Sequence, residues 1–399
     1  MLKYHIEDIL HRIVICIRGS IDNMETKKYK LSEVSLNVTD GEHGTVKDDN
    51  NGNYFLLSCK NIKNGLINIT SNERKINEES FYKIQKRIKL EKNDVLITTV
   101  GTIGEMAIIE DENINYCFQR SVGIIKPNKE FVNPYFLYYS LRNELGQIAT
   151  LIKGAVQKCL FINDMKMIEV SLPDLKTQNK IVKALQNIDK KIKLNNEINN
   201  NLYEISKQLL LKYLDENKSS DEINISKFLN IFTGKKNANE TSPTGKYKFF
   251  SCAPESLLSD TYLCDSAAII VAGNGAYTGR TRFYDGKFEL YQRTYGLTLK
   301  DGFEKNNIYG LYVFMKTIFE PDKMGGTHGS AIPYIVLSDL TDYKLKYNKV
   351  EFDRFSNLVS GNIKMIQENE KSNEKLSELR DTLLPKLMNG EIDLDNIEI

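Results

Sequence analysis

No pair of the form CxxC occurs among the six cysteines of this 399-residue chain (Cys16, Cys59, Cys117, Cys159, Cys252 and Cys264). That scatter argues against a structural zinc site and reads as reduced, mostly buried thiols in a cytoplasm. Four histidines are too few for ordinary metal-site chemistry. Nowhere do 18 apolar residues follow one another, so no membrane-spanning helix is expected. The first residues, MLKYHIEDILHR, interleave charge with apolar side chains and lack the continuous apolar core of a signal peptide.

A strong charge of either sign is missing too: the net charge is +1. The balance is uneven along the chain, with nine Lys/Arg against six Asp/Glu over 231–300 and six against eleven over 351–399. Nucleic-acid contact would therefore come from local patches, and the acidic tail would face solvent or protein. Complete catalytic motifs are absent. NPYF (133–136) lacks the second proline of an amino-methyltransferase loop and has no FxGxG cofactor loop before it, so it reads as a helix start with Pro at the first position. Glu73-Arg74-Lys75 offers half of a nuclease motif without a Pro-Asp ahead of it, and reads as a charged loop that could meet DNA. GTIG (101–104) and GNGAYTG (273–279) do not end in GK[ST], which excludes a phosphate-binding loop of that type. They read as tight turns whose bare backbone could also approach a DNA phosphate. GEHGT (41–45) and GTHGS (326–330) are polar, glycine-flanked loops, each with a surface histidine that could face a groove. No cofactor is expected.

What is present is a repeat. QRSVGI (119–124) returns as QRTYGL (292–297), and YFLLSC (54–59) as YKFFSC (247–252). Ahead of the first phrase stands VLITTVGTIGEMAII, and ahead of the second AAIIVAGNGAYTGRTRFY; each is a strand–turn–strand pattern. NPYFLYYSLRNELG (133–146) and NNIYGLYVFMKTIF (306–319) follow as helices. Each copy closes on a long amphipathic segment. In 176–214 the stripe is Ile181, Leu185, Ile188, Ile192, Ile198, Leu202, Ile205 and Leu209; in 350–388 it includes Phe355, Val359, Ile366, Leu376, Leu379 and Leu383. Helices of roughly 39 residues reach about 58 Å. The expected architecture is α+β: two pseudo-repeated α/β modules (1–175 and 219–349) and two long antiparallel helices (176–218, and 350–399 with the tail). Asn195 and Asn369, equivalent by the repeat and each interrupting an apolar seam, are expected to face each other and fix register.

The GTIG turn, NPYFLYYSL (133–141), LPDLKTQNKIVKALQNIDKKIKLNNEIN (172–199) and RDTLLPKLMNGEID (380–393) occur here in the order seen in specificity (S) subunits of type I restriction–modification enzymes, which the chain resembles over nearly its whole length. The resemblance implies a non-catalytic protein with two target-recognition domains, each reading one part of a split duplex DNA target. The long helices would act as a spacer on which two adenine-methyltransferase subunits dock, and restriction/translocase subunits would join. A protein-interaction scaffold with two binding modules is the alternative.

For base reading, Arg with guanine and Asn or Gln with adenine are the natural bidentate pairs. The candidates are Lys60, Asn61, Arg74, Gln119 and Arg120 in the first module. In the second they are Lys235, Lys236, Asn274, Tyr277, Arg280, Arg282 and Arg293. The dipeptide kept in both copies, Gln119–Arg120 and Gln292–Arg293, is expected to serve a shared scaffold or phosphate role, because modules with different targets should differ where they read bases.

Overall fold

The computed structural model describes residues 24–70, 72–318 and 334–392. His328 of the GTHGS loop lies outside them. The chain is α+β and divides into two compact units, residues 1–190 with 376–399, and residues 191–375. No described helix is long and apolar enough to cross a membrane.

In the first unit, strands Ser35–Asp40, Val122–Pro127, Val95–Thr98 and Met106–Ile108 form an antiparallel sheet in that order. A second sheet joins Lys75–Ile76, Tyr54–Leu57 and Tyr116–Phe118, the last two in parallel. NPYF is a helix start, as its sequence suggests. Pro134 takes the first position of helix Pro134–Asn143, and the Asn133 side chain accepts from the amides of Tyr135 and Phe136. The helix buries Phe136, Leu137 and Leu141 in one core with Ile181 and Leu185 of the long helix Leu175–Glu216 and with Leu383 and Leu387 of the long helix Lys349–Met388. A polar clamp fixes the same three helices: Tyr139 Oη donates to Asp189 at 2.6 Å, and Arg380 Nη1 donates to the other Asp189 oxygen at 2.9 Å.

The second unit has a six-stranded sheet in the order Leu229–Thr233, Thr294–Leu299, Cys264–Ala272, Thr281–Leu290, Tyr247–Phe250, Leu257–Ser259. Helix Asn307–Ile318 lies between it and the long helices, sharing a core with Tyr213, Phe352, Phe355, Val359 and Ile363. Gly310 is the close approach: a Cβ there would stand 2.3 Å from Ser356 Oγ.

Within this unit the long helices run antiparallel, because rising numbers on one meet falling numbers on the other. Tyr213 stacks on Phe355, Asn362 donates to Ser206 (3.1 Å), Asn369 to Asn199 (2.8 Å), and Asn195 to Asn373 (2.7 Å). This corrects the expected Asn195–Asn369 pair. Each amide bonds the repeat-equivalent of the other, one turn away, so the seam is internally symmetric about the level of Glu197 and Lys371, half a turn past the expected centre. Asn195 is buried, not turned to solvent. Ile205, expected in the stripe, is 52% exposed, and Ser206 takes the seam position with its hydroxyl donated to the Leu202 carbonyl.

The two units repeat ladder for ladder. Tyr54–Leu57 runs parallel to Tyr116–Phe118, and Tyr247–Phe250 runs parallel to the end of Thr281–Leu290. Leu57 is opposite Phe118, and Phe250 opposite Leu290. Following the pairing onward makes Gln119 equivalent to Tyr291, since both their amides donate to the strand carbonyl before the turn (Leu57 and Phe250). Arg120 is then equivalent to Gln292, and Ser121 to Arg293. The repeated QR phrase is thus out of structural register by one residue, which in a strand reverses the face of every side chain. Gly123 backs onto Met165 and Ile97, whereas Gly296 lies against Phe232 and Leu290. The two dipeptides therefore do not share one scaffold position.

The seam yields a stability prediction. Asn373 accepts from buried Asn195 and donates to Asn196. Asn373→Ala should lower the urea-unfolding free energy of the full chain by about 1–3 kcal/mol, the cost of orphaning a buried amide. Lys371→Ala, at the same level but exposed, should leave it within about 0.5 kcal/mol. Equal effects would show that the amide pair does not hold the seam.

Candidate nucleic-acid interface

Turns at one end of the second unit's sheet gather most of that module's candidates. The hairpin between Cys264–Ala272 and Thr281–Leu290 is closed by Ala272 N donating to Arg280 O at 2.9 Å, with Gly275 and Gly279 at φ of 83° and 84°. Both glycines sit where an L side chain is strained, which is why GNGAYTG carries them. Arg293 accepts at its carbonyl from Gly273 N, and Cys252 ties the turns together. Its Sγ lies 3.1 Å from Asn274 Oδ1, 3.3 Å from Arg293 O and 3.7 Å from Thr294 Oγ1. Sequence reasoning missed Cys252, although the repeated SC of YFLLSC and YKFFSC was the signal for it. Its equivalent, Cys59, lies 3.4 Å from where a Cβ on Gly101 would stand.

Four cations behave differently here. The Arg280 guanidinium lies over the Tyr277 ring at 4.2 Å. Arg282, two residues on and so on the same face, donates to the Ala253 carbonyl and sits 5.6 Å from the Phe250 ring centre. Burial is the first cause that depresses both groups, and the neighbouring Arg280 charge adds to it for Arg282, which falls to about 10. Both remain charged at neutral pH. Lys235 and Arg293 are exposed, and among the described residues neither side chain has an ion-pair partner.

Lys236 leaves the candidate set. Its ammonium donates to Ser259 Oγ (3.0 Å) and Thr261 Oγ1 (2.6 Å) and stands 3.6 Å from the buried Glu289 carboxylate. Asn274 is half-buried and accepts from Cys252, while Tyr277 is 37% exposed.

In the first unit the equivalent turn, closed by Thr98 N donating to Glu105 O, has Gly101 and Gly104 at positive φ. Here the candidates thin out. Asn61 is buried, with its oxygen accepting from Ser58 N and its amide donating to Asn68 O, so it builds the 58–61 turn and cannot reach a base. Arg74 is held by Asp48 and the Val46 carbonyl. Lys60 pairs with Glu73 at 3.1 Å yet stays exposed. Gln119 is half-buried, and Arg120 is exposed with no side-chain hydrogen bond or ion pair among the described residues. His43 pairs with Asp40 at 2.8 Å.

Ladder equivalence exposes a charge reversal that the letters hid. Glu105 stands where the second unit has Arg280, Ala107 where it has Arg282, and Ser121 where it has Arg293. Glu105 accepts from Asn64 N at 3.0 Å. At these three matched positions the second unit is cationic and the first acidic to neutral, while the exposed Arg120 of the first unit stands where the second has Gln292. Among the described residues no group of three or more His, Cys, Asp or Glu could hold a metal ion.

The adjacent lysines give a test of this assignment. Lys236→Ala takes the cation away from the buried Glu289 carboxylate, which keeps only Thr261 Oγ1 and Leu290 N as donors, and should cost about 1–3 kcal/mol of unfolding free energy. Lys235→Ala should cost less than about 0.5 kcal/mol. Denaturation of both variants would show it, and equal stability would return Lys236 to the surface set.

Residues 26–204 match the model of the type I restriction modification DNA specificity domain. The chain is 31% identical over 150 residues to the specificity subunit of the type I restriction enzyme EcoBI of Escherichia coli, covering 37% of this chain and 31% of that one. It is 32% identical over 123 residues to the EcoDI specificity subunit of the same species, covering 30% of this chain and 26% of that one. The matches thus span less than a third of either relative. A crystal structure of the type I restriction–modification S subunit of M. genitalium superposes with a TM-score of 0.55 at 17% identity, covering 94% of this chain and 98% of that one, a likeness of fold. Residues 26–204 thus match the type I restriction modification DNA specificity domain, in a chain that shares the fold of the M. genitalium S subunit.

Proposed function

We propose that the chain is the non-catalytic specificity subunit of a type I restriction–modification system, working on duplex DNA in the cytoplasm. The unit of residues 31–175 reads one part of a split target and that of 223–345 the other. The observation that carries this reading is the repeat itself. The specificity-domain match ends at residue 204, yet the second unit repeats the first unit's strand pairing and changes the charge of its turns. Two copies of one reading scaffold with different reading ends suit a ligand whose two parts differ in sequence.

The scaffold alternative has less to support it. Arg280 and Arg282 lie partly out of water and close enough for the first to depress the second; the Glu255 carboxylate attracts both, but among the described residues none stands in salt-bridge range of either. Such a site favours an acceptor-rich ligand. Catalysis would come from methyltransferase and restriction/translocase subunits. For methyltransferase docking, the second long helix offers a second face, opposite its core stripe. Val350, Leu358 and Met365 are 71%, 57% and 50% exposed there, and Gly361 between them meets nothing within 4 Å. Glycine inside an exposed helix costs about 1 kcal/mol relative to alanine, and its bare backbone suits the close approach of another helix.

Replacing residues 223–345 by a diverged module should change the bases of one half-target only, read by methylome sequencing of the host; changes in both halves would sink the reading. The purified chain should neither methylate nor cleave DNA. Its binding should weaken steeply with salt, because each phosphate contact releases counterions. Lys235→Ala and Arg293→Ala should each flatten the log–log salt slope by roughly one contact. A slope unchanged in both would remove them from the interface.

A further inference from the structure

The turn that carries Arg280 is built to hold a guanidinium edge-on rather than to wave a charge at solvent. Its backbone is pinned at both ends: Arg280 N donates to Tyr277 O at 3.0 Å, and Arg280 O accepts from Ala272 N at 2.9 Å. The side chain is half-buried, and one face of its planar head is covered by the Tyr277 ring at 4.2 Å. A guanidinium stacked in this way keeps its N–H groups in the ring plane, pointing past the tyrosine edge. Among the described residues no carboxylate or carbonyl takes them.

The neighbour has a different task. Arg282 gives one of its five N–H donors to Ala253 O and lies against Phe250, which fixes its head, and it is near enough to Arg280 to feel that charge. The two cations, one in the turn and one at the start of the strand, repel each other; Glu255 offsets only part of this from beyond salt-bridge range, and each is partly removed from water. The arrangement lowers its energy when a ligand brings paired acceptors to the free fork.

Phosphate oxygens would satisfy a charge, but the sheet end already presents two exposed cations suited to that, Lys235 and Arg293. Backbone contacts position a protein, whereas rigid forks read bases. Guanine presents two acceptors, O6 and N7, at one edge in the major groove, and the arginine fork matches them as a bidentate pair.

Resting on the DNA-specificity reading above, we infer that Arg280, stacked on Tyr277, reads a guanine in the half-target of the second unit, with Arg282 as a positioning residue behind it. The first unit has Glu105 at the equivalent turn position, an acceptor-only group that cannot make this pair. The guanine contact therefore belongs to one half of the target alone.

The test is methylome sequencing of the host carrying the full-length wild-type chain, Arg280→Ala, Arg280→Lys or Tyr277→Leu, with its partner subunits. The wild-type target should hold a G·C pair at a fixed position in the half altered by exchanging 223–345. Arg280→Ala and Arg280→Lys should both lower methylation of that target, roughly 5- to 150-fold. Both should also accept other bases at that one position, while the first half stays fully discriminated, which shows the variants are folded. Lysine keeps the charge but not the fork, so an Arg280→Lys chain that behaves as wild type would overturn the inference in favour of a phosphate contact. So would a loss with unchanged discrimination at every position, or a second half made only of A·T pairs. Should Arg280→Ala abolish methylation outright, the lysine and Tyr277→Leu variants decide, the latter by a partial relaxation at the same position. If the wild-type chain directs no methylation, the DNA-specificity reading itself falls, and this inference with it.

Discussion

The amide pairs between the long helices set the geometry of the second unit. Asn195 with Asn373 and Asn199 with Asn369 interrupt seams that are mostly apolar. Apolar contacts tolerate sliding, because one leucine serves nearly as well as the next; a buried amide does not, since losing its partner costs about 1–3 kcal/mol. Once that register is fixed, Tyr213 meets Phe355 and Ser206 meets Asn362. Those contacts shape the surface on which helix Asn307–Ile318 lies, with Gly310 against Ser356. The helix in turn supports the sheet, and the sheet end carries the cationic turns. Each step is a contact within one unit.

The first unit solves the same problem by charge. Arg380 and Tyr139 both bond Asp189, joining helix Pro134–Asn143 to both long helices. Burial and the Asp189 carboxylate raise the Tyr139 phenol far above its ordinary range, so it remains a donor at any physiological pH. In the second unit the comparable contact is aromatic: the Lys316 ammonium lies 3.9 Å from the Tyr203 ring centre. The scaffold is retained while the chemistry of its joints differs, as expected where geometry rather than a particular side chain is constrained.

Much of this was legible in the letters, for physical reasons that also mark where legibility stopped. The long helices, the strand–turn–strand pattern and the Pro134 helix start depend on local periodicity and capping, which sequence carries directly. The antiparallel seam followed from the repeat, but its centre missed by half a turn, because Ser206 and the asparagines sit at core positions that a hydrophobic pattern skips. Asn61, Arg74 and Lys236 were misjudged for another reason. Nothing local says that a polar side chain has a partner such as Ser259, Asp48 or Asn68 waiting in the fold.

The QR phrase shows the deeper limit. Its letters align at one offset and its hydrogen bonds at another, and in a strand with period two a slip of one residue exchanges inside for outside. Identity of letters therefore hid the comparison that matters. Matched by ladder instead, the two units differ at the turn ends, Glu105 against Arg280 and Ser121 against Arg293. They agree in the pairing that holds those ends in place. Turns at strand ends can change charge without disturbing a sheet, because their side chains take no part in the ladder. Such turns can alter their charge while the core beneath stays constant, and the reversal from Glu105 to Arg280 at one matched position is the form that freedom takes in this chain.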